Sequence, residues 1–506
     1  MGQRENLGNQ RELPLLEALQ QCAQRPHAPF YTPGHKRGRG IPQPMRNLLG
    51  DRPFLADLPE LPELDNLFTP EGAILRAQAL AADLFGAAQT WFLANGSTCG
   101  IEAAVLATCG PGDLLILPRN CHQAAIAALI LSGATPVFLS PDYDAEWGIA
   151  HSVSPAAVAA ALAQHPRAKA VMLVYPTYYG ACGDIGAIAQ LAHQHSIPLI
   201  VDEAHGAHFA FHADFPTASL AAGADIVVQS THKVLGAMTQ ASMLHCQGDR
   251  VDADRLSRAL RLVQSTSPSY LLLASLDAAR WQLAQHGSEL MQHTLDLAAI
   301  ARTELAQIPG LQLLTANHAS TPGFVALDPT RLTVDVRALG LSGFAADEIL
   351  HTQLGVTAEL PALTHLTFIL SLGNTPQDIQ QLVQGFRTLA QSVQQTDRDG
   401  PQAETLRPGL AAFSWNPLEA NPIGAEQSLS PRAAFLAASE VVPLEQAGDR
   451  LSAETVCPYP PGIPLLIPGE RISSGALQYL DAVLKHGGTV TGLIGGQSLR
   501  VVQHDG

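Results

Sequence analysis

The 506-residue chain carries 29 Lys and Arg against 45 Asp and Glu, a formal net charge of −16. That balance disfavours nucleic acid or an anionic membrane surface as a partner. Length and a hydrophobic content of 46% point to a globular α/β protein of two or three domains. Seven dispersed cysteines without a C-x-x-C argue against a disulfide framework or a zinc site, and no apolar leader or run of about 20 apolar residues occurs; a soluble, cytoplasmic protein is expected.

In chain order, an amphipathic helix is predicted over 11–25, carried by Leu13, Leu15, Leu16, Ala18 and Leu19. Pro33-Gly34 then opens a basic, turn-rich loop with His35, Lys36, Arg37 and Arg39. Residues 47–70 are rich in proline and acid, show no helical period and read as an ordered connecting loop. A helix from Glu71 to Phe85 stops at Gly86. Strand–helix alternation begins at Trp91–Ala94, followed by the turn Asn95–Gly100 and a helix Ile101–Thr108. Gly96, Ser97 and Thr98 in that turn offer backbone N–H donors, hydroxyls and a favourable dipole to a phosphate, and equally a plain helix N-cap. The strand Asp113–Leu117 ends at Pro118-Arg-Asn-Cys-His122, with His122 at the head of the helix Ala124–Leu131. Strand Thr135–Leu139 follows, then a helix Ser154–Gln164 with Ser154 as N-cap and Pro155 first. Strand Ala168–Val174 runs into Tyr175-Pro-Thr177-Tyr178-Tyr-Gly180, and a helix covers Ile185–His195.

The next two strands carry the chemistry. Pro198-Leu-Ile-Val is an apolar run that ends in Asp202, with Glu-Ala-His205-Gly206 after it. Ile226-Val-Val228 is another, followed by Ser230-Thr-His232-Lys233. A lysine just past such a strand sits where open α/β sheets keep their ligand crevices, and partial desolvation there frees its amine to condense with a carbonyl. A strand-end acid beside a strand-end lysine suits pyridoxal phosphate: the amine holds it as a Schiff base and the acid keeps the ring nitrogen protonated. Asp202, His205 and His208 also invite a metal, but Gly206 and the strand end break any single helical face and no H-E-x-x-H exists; no metal is expected.

After a strand at Ser242–His245, helices are predicted over 251–263 and 272–285, separated by the hydroxyl-rich Ser265-Thr266-Ser267-Pro-Ser269-Tyr270. A long helix, Glu289–Ile308, leads to a second α/β lobe. Its strands are Gly310–Leu314, Gly323–Leu327, Leu332–Val336 and Thr367–Leu372, and its helices lie at 344–353 and 376–394. Proline-rich residues without a period follow as a linker. The expected parts are an N-terminal segment (1–45), a large domain (46–290), a small α/β domain (291–395), a linker (396–429) and a C-terminal domain (430–506).

The segments PGHK, RNCH, PTYYG, DEAHGAH, STHK, TSPSY and YPPGIP, in that order, resemble the Orn/Lys/Arg decarboxylase group of fold-type I pyridoxal-phosphate enzymes. The likeness is to the short form, without an N-terminal wing domain, and runs from Tyr31 to about Glu470. It implies an aspartate-aminotransferase-like large domain with a mixed, mainly parallel seven-stranded sheet, a small α/β domain and a C-terminal α+β domain. It further implies decarboxylation of arginine, lysine or ornithine to the amine or polyamine precursor and carbon dioxide, with pyridoxal 5'-phosphate as cofactor. In that reading Lys233 is the Schiff-base lysine, Asp202 faces the ring nitrogen and His205 lies near the ring substituents. His122 stacks on the pyridine face; a satisfied polar residue at a helix start is the alternative. Gly96, Ser97, Thr98 and Ser230 anchor the phosphate, Lys233 or His232 returns a proton to Cα, and Thr266 reaches a partner subunit's phosphate. His35, Lys36, Thr177 and Tyr178 belong to the substrate side, and Glu359 is an acid for the substrate's cationic end or a surface acid. A homodimer or dimer of dimers with active sites at the subunit interface is implied. Another fold-type I chemistry, aminotransferase or lyase, and a non-catalytic relative stay open, because the Cα bond that stands perpendicular to the ring is not legible in sequence.

Overall fold

The structure, a computed structural model, describes residues 9–396, 429–459 and 462–503. Nearly all of the expected linker, and Pro460-Pro461 of the YPPGIP segment, lie outside the described residues. In chain order the first ten strands are β1 (Gln89–Leu93), β2 (Leu114–Pro118), β3 (Thr135–Leu139), β4 (Tyr143–Asp144), β5 (Ile149–Ala150), β6 (Ala168–Val174), β7 (Ala181–Cys182), β8 (Leu199–Asp202), β9 (Ile226–Gln229) and β10 (Ser242–Cys246). Seven of them form one sheet in the order β1-β10-β9-β8-β6-β2-β3. β10 runs antiparallel to both β1 and β9, whereas β8 and β9, and β2 with β3 and β6, are parallel. The mixed, mainly parallel sheet is thus the one the resemblance implies. β8 and β9 are buried at every residue, which is why they read as unbroken apolar runs rather than alternating ones.

The chain divides into two compact units, one of residues 1–108 and 200–291, the other of 109–199 and 292–506. In the first, the helix Gly96–Thr108 starts five residues earlier than the predicted Ile101, so the expected turn is its first turn. Gly100 shows why a glycine stands inside it. A Cβ there would lie 2.7 Å from both Leu93 Cδ1 and Val228 Cγ1, so only a bare Cα lets the helix approach the sheet this closely.

The expected connecting loop is also more ordered than its composition suggests. Gln43–Leu49 and Arg52–Ala56 are short helices and Pro62–Leu64 a 3₁₀ turn, each with proline in its first two positions, where the missing N–H costs nothing. Asp65 then accepts from the backbone N–H groups of Asn66, Glu71, Gly72, Ile74 and Leu75, closing the start of the helix Ala73–Phe85. Burial works against the Asp65 charge, yet these N–H donors hold its carboxyl below the ordinary range.

The N-terminal helix Pro14–Gln24 is tied down by a fully buried pair, Arg280 with Asp277 at 2.6 Å. Asp277 Oδ2 accepts from Leu15 N, and the Arg280 guanidinium donates to the carbonyls of Gln10 and Glu12. These two residues belong to one 36-residue helix, Tyr270–Leu305, where two helices were predicted. Gly287, inside that helix, marks a close approach: a Cβ there would lie 3.1 Å from the Phe211 ring.

In the second unit, Ala326–Leu327 pairs with β7 rather than with the small lobe's sheet, as the sequence had suggested. That sheet is antiparallel, ordered 312–313, 331–335, 365–369, 360–361, and the helices Gly343–Leu354 and Pro376–Thr396 pack against it around Leu332, Val334, Leu366 and Phe386. The C-terminal part pairs Ser439–Pro443 with Ser498–Val502, places the helix Ser474–Lys485 on that pair, and closes around Val456, Leu466, Leu480 and Val501. It is the expected α+β piece. All seven cysteines are buried and none forms a disulfide, and no helix among the described residues is long and apolar enough to cross a membrane.

Candidate active site

Asp202 closes β8 and is 6% exposed; Lys233 follows β9 in the single helical turn Thr231–Val234 and is half-buried. β8 and β9 are parallel neighbours, with Asp202 registered on Val228, so both strand ends deliver their side chains to the same edge. Lys233 Nζ lies 3.0 Å from His205 Nε2. Burial pushes the Asp202 carboxyl above the ordinary range, and the Lys233 amine pulls it back, which places the two within electrostatic reach. Asp202 Oδ1 accepts from Ala204 N at 3.2 Å. A buried carboxylate calls for a cationic or N–H partner, and a protonated pyridine nitrogen is one.

Ser230, directly after β9 and fully buried, donates to Ser97 Oγ at 2.8 Å. Ser97 belongs to the first turn of the helix Gly96–Thr108, where Gly96 adopts φ +77°. The leading N–H groups of such a helix have no partner within it and lie at the positive end of its dipole. Ser97 and Ser230 therefore bring two hydroxyls together at the first turn of this helix, which also holds the exposed Thr98. Asn95 Oδ1 accepts from Ser265 N, which draws the Ser265-Thr266 loop against this turn; Thr266 itself is exposed. Amine, buried carboxylate and phosphate cradle fit pyridoxal phosphate as a donor set. His232, next to the lysine, is held by Nδ1 to Ala241 O at 3.1 Å, and burial lowers its pKa against the pull of that carbonyl. A carbonyl acceptor fixes the proton on Nδ1 and leaves Nε2 as the basic nitrogen.

Behind Asp202 lies a chain of buried groups that sequence reasoning missed. The carboxylate of Glu203 accepts from Ser219 N (2.8 Å), from Ser219 Oγ and from Gln229 Nε2 (2.7 Å). Gln229 Oε1 in turn meets His245 Nε2 at 3.1 Å, and His245 Nδ1 meets Thr90 Oγ1 at 2.8 Å. Burial raises the Glu203 carboxyl to about 7, against those hydrogen bonds, and lowers His245 to about 3. A carboxyl raised in the folded state stabilises it fully below its unfolded pKa and loses that contribution as pH rises through about 7. Relative to a variant that cannot ionise at 203, the melting temperature of the parent protein should therefore fall from pH 5 to pH 8. In Glu203→Gln, which cannot ionise, this part of the slope should vanish, and a parallel slope would contradict the assignment.

The remaining predicted residues fall in three places. In the second unit, His122 is the N-cap of the helix Gln123–Ser132 and its Nδ1 accepts from Ala124 N at 3.2 Å. Thr177, 3% exposed, closes the PTYYG turn by exchanging hydrogen bonds with Ala181, and Tyr178 stands half-buried beside it. His35 and Lys36, in the first unit, bond within their own loop. His35 Nε2 meets Asp57 Oδ2 at 3.1 Å, its Nδ1 accepts from Gly38 N, and Lys36 Nζ donates to Tyr31 O; neither makes a polar contact with Lys233. Glu359 lines a cleft of about 360 Å³ in the small lobe with Asn374 and Asp378.

The family model for the Orn/Lys/Arg decarboxylase major domain matches residues 13–378, and that for the Orn/Lys/Arg decarboxylase C-terminal domain matches residues 424–493. The chain is 39% identical to the arginine decarboxylase of Bacillus subtilis over 96% of both chains. It is 26% identical to a lysine decarboxylase of Pseudomonas aeruginosa, covering 92% of this chain and 75% of the relative. The solved lysine decarboxylase A of Pseudomonas aeruginosa superposes with a TM-score of 0.82 at 25% identity, over 97% of this chain and 80% of that one. By matched length, identity and fold, the chain belongs to the Orn/Lys/Arg decarboxylase family.

Proposed function

We propose that the protein decarboxylates a basic L-amino acid with pyridoxal 5'-phosphate, and that arginine is the substrate. The observation that carries the reading is the pair Asp202 and Lys233 at neighbouring strand ends, with the Ser97–Ser230 hydroxyl pair beside them. The choice of arginine rests on the likeness to the Bacillus subtilis arginine decarboxylase at 39% identity. When bound, pyridoxal phosphate supplies an electron sink for the pair released as the bond from Cα to the carboxylate breaks.

The chain's own residues do the rest. Asp202 holds a negative charge where the ring nitrogen must stay protonated, and Ala204 N keeps that carboxylate in place. Gly96, Ser97, Thr98 and Ser230 hold the phosphate, and His122 lies on the ring face and excludes water from it. His205 fixes the Lys233 amine, which covalently carries the cofactor at rest. After carbon dioxide leaves, Lys233 Nζ or His232 Nε2 delivers a proton to Cα. Thr177 and Tyr178 line the substrate side, and Glu359 meets the substrate's cationic end. His35, Lys36 and Thr266 serve a neighbouring subunit's site, which makes the working form a homodimer or dimer of dimers.

The protein is read as soluble and cytoplasmic, its product an amine that feeds polyamine synthesis. The five-part division at 45, 290, 395 and 429 is kept as the domain organisation. Incubating the purified protein with arginine, lysine and ornithine tests the reading. Agmatine and carbon dioxide from arginine, at a kcat/KM at least about ten-fold above the other two, is the expected result. A keto acid in place of amine would mean transamination, and cadaverine or putrescine as main product would overturn arginine.

A further inference from the structure

The C-terminal region closes on the loop that carries His122. Arg119, the first residue after β2, is 3% exposed, and its guanidinium donates to Pro464 O (2.6 Å), Leu465 O (2.9 Å) and Glu470 Oε2 (3.0 Å). Glu470 Oε2 also accepts from Ile467 N, so the pair folds residues 464–470 around the arginine. A buried pair with this many hydrogen bonds sets geometry rather than adding net stability. Two further contacts reach the histidine itself. Gln123 N donates to Gly462 O at 3.2 Å, and Gly462, at φ +81°, sits so close that a Cβ there would lie 3.3 Å from His122 Nε2 and 3.5 Å from Cδ2. His122 Nδ1 is already spent on Ala124 N, which puts a neutral ring's proton on Nε2, the edge that Gly462 borders.

We infer that Gly462 is a positioning residue for this site: held by the Arg119–Glu470 pair, its bare Cα packs against the imidazole edge and sets the plane in which His122 stacks. The inference rests on the reading above that His122 lies on the cofactor ring. A Cβ at 462 would press on the imidazole edge, which must give by a few tenths of an ångström, and would stand on a left-handed backbone that side chains rarely adopt.

The test uses Gly462→Ala, Glu470→Gln and His122→Ala in the full-length holoenzyme. Gly462→Ala should bind the cofactor at the parental stoichiometry and keep KM for arginine within about two-fold. Its kcat should fall on the order of ten-fold, and the visible circular dichroism of the bound cofactor should change, since a tilted ring acts on orientation rather than on binding. Glu470→Gln keeps the size and the Ile467 contact while removing the charge opposite Arg119, so it should move both readouts in the same direction by less. It also serves if Gly462→Ala does not fold. In the His122→Ala background neither substitution should lower kcat further or alter the dichroism. Equal losses in both backgrounds, or no change in the parental one, would overturn the positioning role while leaving the cofactor reading intact. A parent protein with no visible cofactor band would overturn both.

Discussion

Lys233→Ala is expected to abolish the visible absorbance of the cofactor-loaded protein and to lower decarboxylation by at least about 10³-fold. In the proposed reading the effect is large because one amine would have two duties: it would carry the cofactor at rest and stand ready to move a proton at Cα. Its place after the buried strand β9, with His205 Nε2 at 3.0 Å, holds it at the sheet edge. The chain has four lysines, at 36, 169, 233 and 485. Lys36 is bound to its own loop, and Lys169 and Lys485 lie in the other unit. Circular dichroism of the apoprotein should match the parent, since truncating a half-buried lysine past a strand end leaves the core untouched. Retained activity in Lys233→Ala would contradict the assignment.

Asp202→Asn is the second large effect. The side chain keeps its size, and its carbonyl oxygen can still accept from Ala204 N, so the fold and cofactor content should persist. What is lost, in the proposed reading, is the negative charge that would keep the ring nitrogen protonated. In a buried site, losing one such electrostatic contribution costs on the order of 10²–10³ in rate. The expected signature is a fall in kcat of that size with KM little changed, because the charge acts on the developing carbanion and not on substrate binding. An equal rise in KM with unchanged kcat would place Asp202 in binding instead.

Much of this site was legible in the chain because its residues stand at strand ends. β8 and β9 are short, wholly buried runs with nothing polar until Asp202 and Gln229, so periodicity alone locates both ends and the groups that follow. Ser97 and Ser230 were equally visible as hydroxyls beside glycine and lysine. The misses have identifiable causes. Gly96 and Gly100 read as turn chemistry, yet one serves a positive φ and the other a close helix–sheet contact within a helix. The small helices between 43 and 56 are started by proline, a residue that composition treats as a breaker.

Other features depend on pairings between distant residues, which a linear pattern does not carry. Glu203 reads as one more acid until Ser219, Gln229 and His245 close around it. Arg119 is buried by Pro464, Leu465 and Glu470, more than 300 residues away in sequence. Gly462 lies in a proline-rich stretch, and its approach to His122 is visible only in the fold.

Reduction with borohydride in the presence of pyridoxal phosphate, followed by peptide mass mapping, addresses the attachment point itself. The account predicts one pyridoxyl group per chain, on the peptide containing Lys233, with the other three lysines unmodified. Label on Lys36, Lys169 or Lys485 in place of Lys233, or no stoichiometric label at all, would contradict it.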